Sequence, residues 1–183
     1  MRMNGISTIG TLGKDTNDVT CSVLAAKSLG NIFTIAAFSK FEFAAESLIN
    51  NNIDAMVVPG AYPNIASFIM NEHLSVMDVF TYKIPPLVFA SKYMTCANEY
   101  DILYNHPATN PLLHDICNVK WNKQENVNSN TIACLQVLES KHTSCAITNA
   151  ACAEKYGLTI HKVIRASINM PFVIFTKKGG SIS

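Results

Sequence analysis

The chain predicts an α/β protein built on a largely parallel sheet, and three observations carry that prediction. Short apolar runs alternate with longer amphipathic ones along the whole length. Four strand-to-helix junctions are rich in Gly, Pro, Thr and Asn: GTLGKDTND from Gly10, VVPGAYPN from Val57, YNHPATNP from Tyr104 and AITNAAC from Ala146. With 183 residues, 49% hydrophobic and 15% charged, the chain has material for one core or two small lobes.

Taken in order, Ser7 to Leu12 reads as a strand that runs into the first junction, and Thr20 to Leu29 as the helix after it. Gly30 then falls just past the helix end, where a left-handed residue is needed. The pattern repeats with a strand at Ile32 to Ala37, a helix at Phe41 to Asn50, a strand at Ala55 to Val58 and a helix at Asn64 to Met70. Two extended runs follow, Leu74 to Tyr82 and Pro86 to Ala90, and then a strand at Ile102 to Tyr104. Helices are expected at Asn110 to Cys117, Ser129 to Leu138 and Ala150 to Tyr156, the last closed by Gly157. Strands at Cys145 to Thr148, Thr159 to Ala166 and Phe172 to Thr176 complete the set. Pro85 and Pro86 mark either a crossing between two lobes, with a return near Arg165, or a stiff turn inside one domain.

Charge narrows the partners. Fourteen basic and thirteen acidic residues are scattered singly, which leaves no footprint for nucleic acid or an anionic membrane and points to a small ligand. No window approaches the ~20 apolar residues of a membrane span, and the N-terminal MRMNGISTIG lacks a secretory pattern, so a cytoplasmic protein is expected. Six dispersed cysteines without a Cys-x-x-Cys pair read as buried thiols rather than disulfides.

Several chemistries are excluded by spacing. In GTLGKDTND, Gly13-Lys14 is followed by Asp15, and Thr8 stands where a phosphate loop needs its first glycine. Lys14 is nevertheless the one cation of a candidate anion loop. His73, His106, His114, His142 and His161 show no metal-ligand spacing, and no metal is expected. There is no Gly-x-Ser-x-Gly elbow and no cysteine in an electropositive motif. His106, before Pro107 at a strand end facing a helix start, is either functional or a shaper of its turn.

Read together, four segments resemble the catalytic domain of the prephenate dehydratase family. AITNAACAEKYGL (Ala146 to Leu158) is similar to that family's Ala-Ile-Ala-Ser, two alanines, Tyr-Gly-Leu segment, and NHP (Asn105 to Pro107) to its Ser-His-Pro. VVP (Val57 to Pro59) stands in place of its Val-Pro-Ile-Glu-Asn-Ser, and TLG (Thr11 to Gly13) opens its Gly-Pro-x-Gly-Thr loop. The departures are more informative. The family's Thr-Arg-Phe, whose threonine is thought to protonate the departing hydroxyl and whose arginine binds a carboxylate, is replaced by Pro171, Phe172 and Val173. Glu-Asn-Ser is replaced by Ala61, Tyr62 and Pro63. These losses resemble the prephenate decarboxylases of the bacilysin pathway and related natural-product routes.

The resemblance implies a two-lobed α/β fold of the periplasmic-binding-protein type II, with mixed sheets and a central cleft holding the site. It implies lobes of residues 1–82 plus 165–183 and of residues 83–164, without a regulatory ACT domain. It also implies cofactor-free, non-aromatising decarboxylation of prephenate to a dihydro-4-hydroxyphenylpyruvate in secondary metabolism. The proton donor is left open among Lys14, Tyr62, His106 and ordered water. Thr16, Asn17, Gly60, Ala61, Thr109, Thr148 and Asn149 are the candidates for holding the two carboxylates, with Met170 and Phe172 as apolar neighbours that strip water from one of them. The same Thr and Asn residues would also serve as helix caps. A dehydratase-like enzyme on another cyclohexadienyl acid and a non-catalytic binding protein are the alternatives. A homodimer is the assembly kept open.

Overall fold

A computed structural model describes residues 5–179; Arg2, one of the two arginines, lies outside them. Along the chain the elements are β1 (Thr8–Leu12), α1 (Cys21–Lys27), β2 (Thr34–Phe38), α2 (Phe41–Ile49), β3 (Ala55–Pro59), α3 (Ile65–Ile69) and β4 (Leu74–Lys83). β5 (Leu87–Ser91), β6 (Glu99–Asn105), a 3-10 helix (Pro107–Asp115), β7 (Lys120–Asn126) and α4 (Asn130–Glu139) follow, then β8 (Ser144–Asn149), α5 (Ala150–Lys155), β9 (Thr159–Arg165) and β10 (Asn169–Lys177). The chain divides into two compact units. The first takes the residues up to Asp18, Ser22–Lys83 and those from Asn169 on; the second takes Val19–Cys21 and Ile84–Ile168.

The first unit carries a sheet of order β2-β1-β3-β10-β4. β1 pairs in parallel with β2 and β3, while β10, from the far end of the sequence, inserts antiparallel between β3 and β4. One face packs on α2 and α3 through Phe41, Leu48, Met56, Val58, Phe68 and Phe175, all buried. The second unit's sheet has the order β7-β6-β8-β5-β9, with β6 parallel to β7 and β8, and β5 antiparallel to β8 and β9. Its two faces bury Val88, Tyr104, Cys134 and Ala153 on one side and Phe89, Tyr100, Leu103 and Ile147 on the other.

Half of the strand pairings are therefore antiparallel, which corrects the expectation of a largely parallel sheet. The alternation of strand and helix fails at β4–β5, β5–β6 and β9–β10, where strand follows strand, and the antiparallel pairs join strands that are not consecutive in the chain, β10 with β3 and β4, and β5 with β8 and β9. Two elements also differ from the sequence reading. The helix expected at Asn110 to Cys117 is a 3-10 helix over Pro107–Asp115, because Pro111, inside it, lacks the amide that an α-helix would donate to the Pro107 carbonyl. β7 was not anticipated: KWNKQEN is polar and mostly exposed, and its pairing with β6 alone makes it a strand. Gly30 (φ +136°) and Gly157 (φ +67°) adopt the left-handed conformations expected past their helices. Among the described residues no helix is long and apolar enough to cross a membrane.

Candidate functional site

In the first unit the carboxyl ends of β1 and β3 meet the start of β10. Gly13 closes β1 by donating to the Phe38 carbonyl at 2.9 Å, and a Cβ there would lie 2.7 Å from Val23 Cγ2, so any larger residue would have to displace Val23. The loop beyond it is held by its own carboxylates. Lys14 N donates to Asp18 Oδ2 and Asn17 N donates to Asp15 Oδ1, both at 2.7 Å, and Asp18 is fully buried. Amides that would face an incoming carboxylate are thus already engaged by negative charge. Lys14, Thr16 and Asn17 are exposed.

At the second junction Gly60 N donates to the Pro171 carbonyl at 2.8 Å, and a Cβ at Gly60 would lie 3.0 Å from Pro171 Cγ. Close approach of β10 explains this glycine without a ligand. Ala61 is exposed beside it. The Tyr62 ring stacks on Phe68 and meets Phe41 edge-on, while its hydroxyl donates to Glu42 Oε1 at 2.6 Å. Burial first, and the Glu42 carboxylate second, push the Tyr62 phenol up to about 12. Partial burial works against ionisation of Glu42, but the Tyr62 hydroxyl and the Asn64 side chain hold its carboxyl below the ordinary value. Tyr62 therefore keeps its proton, aimed at Glu42, and is poorly placed as a general acid. Phe172 is fully buried, stacked on Phe80 at 5.6 Å and edge-on to Tyr82 at 6.3 Å, whereas Met170 is half-buried. The position that the resemblance gives to an arginine is an aromatic core site.

The second unit is richer in polar groups. His106 has the extended backbone usual before proline (φ −76°, ψ 139°) and caps the 3-10 helix, its Nδ1 accepting from Ala108 N at 3.1 Å. Burial lowers its imidazole below the ordinary range. With Nδ1 as acceptor, the neutral ring presents Nε2–H as a donor. Behind it, fully buried Asn105 donates through Nδ2 to the His106 carbonyl (3.1 Å), Thr109 Oγ1 (3.1 Å) and Asn110 Oδ1 (2.9 Å). Gln124 Nε2 donates to Asn105 Oδ1 and Asn110 Oδ1, each at 2.9 Å, and Thr109 Oγ1 donates to the His106 carbonyl at 2.7 Å. Asn105 and Gln124 escaped the sequence reading; a polar residue ending an otherwise buried strand was the available signal for Asn105.

Thr148 and Asn149, at the end of β8, are both fully buried. Thr148 Oγ1 donates to the Asn130 carbonyl at 3.0 Å and accepts from Cys134 Sγ at 3.3 Å. Asn149 Oδ1 caps α5 through Cys152 N at 2.7 Å, and its Nδ2 donates to the Val19 carbonyl at 3.0 Å and to Cys21 Sγ at 3.6 Å. These bonds sew the Val19–Cys21 segment into the second unit, so both residues serve structure first. Burial raises the Cys21 thiol to about 11 despite the Asn149 and Asn130 amides, which leaves it unreactive near neutrality. Ser91 Oγ and His161 Nε2 lie 2.8 Å apart like a nucleophile and base, but Ser91 is fully buried and also accepts from Tyr93 N at 3.1 Å. Among the described residues no three His, Cys, Asp or Glu side chains gather as a metal site requires.

No family model matches the chain. A prephenate decarboxylase of Planktothrix agardhii is 31% identical over 180 residues, which cover 93% of this chain and 88% of the relative. The chain belongs to the prephenate decarboxylase family. Another relative so named, from Bacillus subtilis, is 26% identical over 187 residues, covering 96% of this chain and 89% of its own. Among solved structures, the prephenate dehydratase of Arthrobacter aurescens has a TM-score of 0.71 at 14% identity, over 94% of this chain and 61% of that one. A methionine-binding protein has a TM-score of 0.56 at 13% identity, over 95% and 84% of the two chains. At such identities the likeness is one of fold, the α/β periplasmic-binding-protein type II. Of this chain's predicted site residues, Tyr62, Phe172, Thr148 and Asn149 are engaged in packing and buried bonds, while the side chains of Lys14, Thr16 and Asn17 are exposed.

Proposed function

We propose that the protein is a cofactor-independent, non-aromatising prephenate decarboxylase. The carrying observation is β10 within a chain of this family: the place of an acid and an arginine is taken by Pro171, bonded through its carbonyl to Gly60, and by fully buried Phe172. Loss of carbon dioxide breaks the bond between the ring and its carboxylate and sends the electron pair into the diene. Aromatisation then requires a proton on the departing 4-hydroxyl. Without an acid at that position the pair takes its proton at a ring carbon, and the product is a dihydro-4-hydroxyphenylpyruvate. Water excluded from the departing carboxylate favours the step. Of the four donor candidates, Tyr62 is directed at Glu42, so His106 Nε2–H, Lys14 and ordered water remain. We place the enzyme in the cytoplasm, in the biosynthesis of an antibiotic or other secondary metabolite, acting on a small molecule without nucleic acid or membrane and as a monomer or homodimer.

Incubation of the pure protein with prephenate, followed by ultraviolet absorbance and chromatography, tests the reading. The expected result is consumption of prephenate into a non-aromatic 4-hydroxy keto acid. Rapid formation of phenylpyruvate, or no turnover, overturns it. The loop closed by Asp15 and Asp18 favours a second reading, an enzyme of the same kind on another cyclohexadienyl acid, which a screen including arogenate distinguishes.

A further inference from the structure

Arg165 is the only arginine among the described residues, and it stands in an informative row. At one edge of the second unit's sheet, β6 ends at Asn105, β7 at Asn126, β8 at Asn149 and β9 at Arg165, while β5 begins at Leu87. The register pairs Asn105 with both Asn126 and Ile147, and Leu87 with both Asn149 and Arg165. Arg165 is the only charged residue among these five strand ends. The edge is the carboxyl end of the parallel strands, where α/β sheets bind their ligands.

The 3-10 helix ties Arg165 to the same edge. It leaves β6 at His106 and spans nine residues, about 18 Å at a rise of about 2.0 Å per residue. Its last residue, Asp115, meets the Arg165 guanidinium. Three strand spacings separate β6 from β9, about 14 Å in all, so the helix runs across the strands and carries Asp115 to β9. The ion pair is weak. Nη2 and Oδ2 are 3.3 Å apart, longer than a good charge-assisted bond, and the side chains are 48% and 31% exposed. Asp115 is also anchored without Arg165: Lys162 Nζ donates to its backbone carbonyl at 2.6 Å, and His114 Nε2 lies 3.2 Å from its Oδ1, an ion pair when that imidazole is protonated. The guanidinium can therefore leave Asp115 while Asp115 stays in place.

We infer that Arg165 binds the retained keto-acid carboxylate of the substrate, exchanging Asp115 for it. The inference rests on the reading of the substrate as a cyclohexadienyl keto acid with two carboxylates. A cation on the departing carboxylate would stabilise the ground state more than the transition state, in which that charge is leaving, and would oppose the reaction. On the retained carboxylate it binds both states equally. The planar fork of arginine suits a carboxylate, and none of the other strand ends in this row brings a positive charge.

Two variants and two readouts test this. With prephenate as substrate, Arg165→Gln is expected to raise KM about ten- to a hundredfold with kcat nearly unchanged, as loss of one charge-assisted bond made equally in both states requires. Asp115→Asn, which removes the competing carboxylate, is expected to lower KM. If the pair were only structural, both variants would lower Tm alike and leave KM unmoved, which overturns the inference. Phenylpyruvate, which carries the keto acid but lacks the ring carboxylate, supplies the second readout by thermal shift. Stabilisation of the unaltered protein but not of Arg165→Gln supports the inference even if prephenate is not turned over, an outcome that sinks only the proposed activity. No stabilisation of the unaltered protein, or equal stabilisation of both, overturns the role of Arg165.

Discussion

The loop from Gly13 to Asp18 in one unit and the turn from Asn105 to Asp115 in the other both follow the carboxyl end of a strand, yet they satisfy their backbones by opposite means. The first uses carboxylates: Asp15 and Asp18 accept the loop's own amides. The second uses neutral amides, with Asn105, Asn110 and Gln124 bonded to one another behind a neutral histidine. A loop filled with negative charge repels a dianion, whereas a neutral network can present donors to one without paying for a buried charge. The comparison teaches that a glycine-marked junction is not by itself an anion site. What fills its amides decides.

Four experiments break or sharpen this contrast, from the largest expected effect to the smallest. Asn105→Leu removes the central amide of the second turn, and urea unfolding should show a loss of about 3 kcal/mol, because its buried partners lose their bonds. Asp18→Ala in the first loop should cost about 2 kcal/mol for the lost bond from Lys14 N. A stabilised variant that also binds prephenate more tightly would make Asp18 a mere obstacle and reverse the assignment of the two junctions.

His106→Asn comes third. Asparagine is a good N-cap, so helix and stability should persist, while kcat on prephenate falls about tenfold if Nε2–H faces the substrate. Unchanged kcat returns His106 to a capping role. The same variant carries a pH signature. Burial lowers the His106 pKa in the folded chain, so the unfolded chain binds more protons between the ordinary value of 6.5 and the folded one. Stability from this group is present above 6.5 and declines as pH falls through that window; Asn should remove the decline. Tyr62→Phe is the smallest change, about 1 kcal/mol or less for the lost bond to Glu42, with kcat unaltered. A large fall in kcat would restore Tyr62 as the proton donor.

Much of the fold was readable because buried strands announce themselves: AMVVP of β3 and LVFAS of β5 are apolar runs that sit in the cores they suggest. β7 was unreadable since none of its residues is fully buried, and strand direction was unreadable at β10 because its neighbours lie far away in sequence. Site legibility followed the same rule. His106 could be singled out by its proline, but that Tyr62 would find Glu42, or that Thr148 and Asn149 would turn inward to Asn130 and Val19, depends on partners many residues distant. That Asp15 and Asp18 accept the loop's own amides depends likewise on how the loop folds back, which the sequence GTLGKDTND does not display.

The insertion of β10 between β3 and β4 has a consequence for biosynthesis. While the ribosome is still making the second unit, β3 lacks its partner on one side and β4 has none, so Val58 of β3 and Phe68 of α3 are without Val173 and Phe175, and the strand edges beside them are open. Pairings between segments so far apart in sequence close slowly. Nascent chains should therefore depend on chaperones until Lys177 has emerged, and shortening the chain into β10 should yield insoluble protein where an extension appended after Ser183 does not.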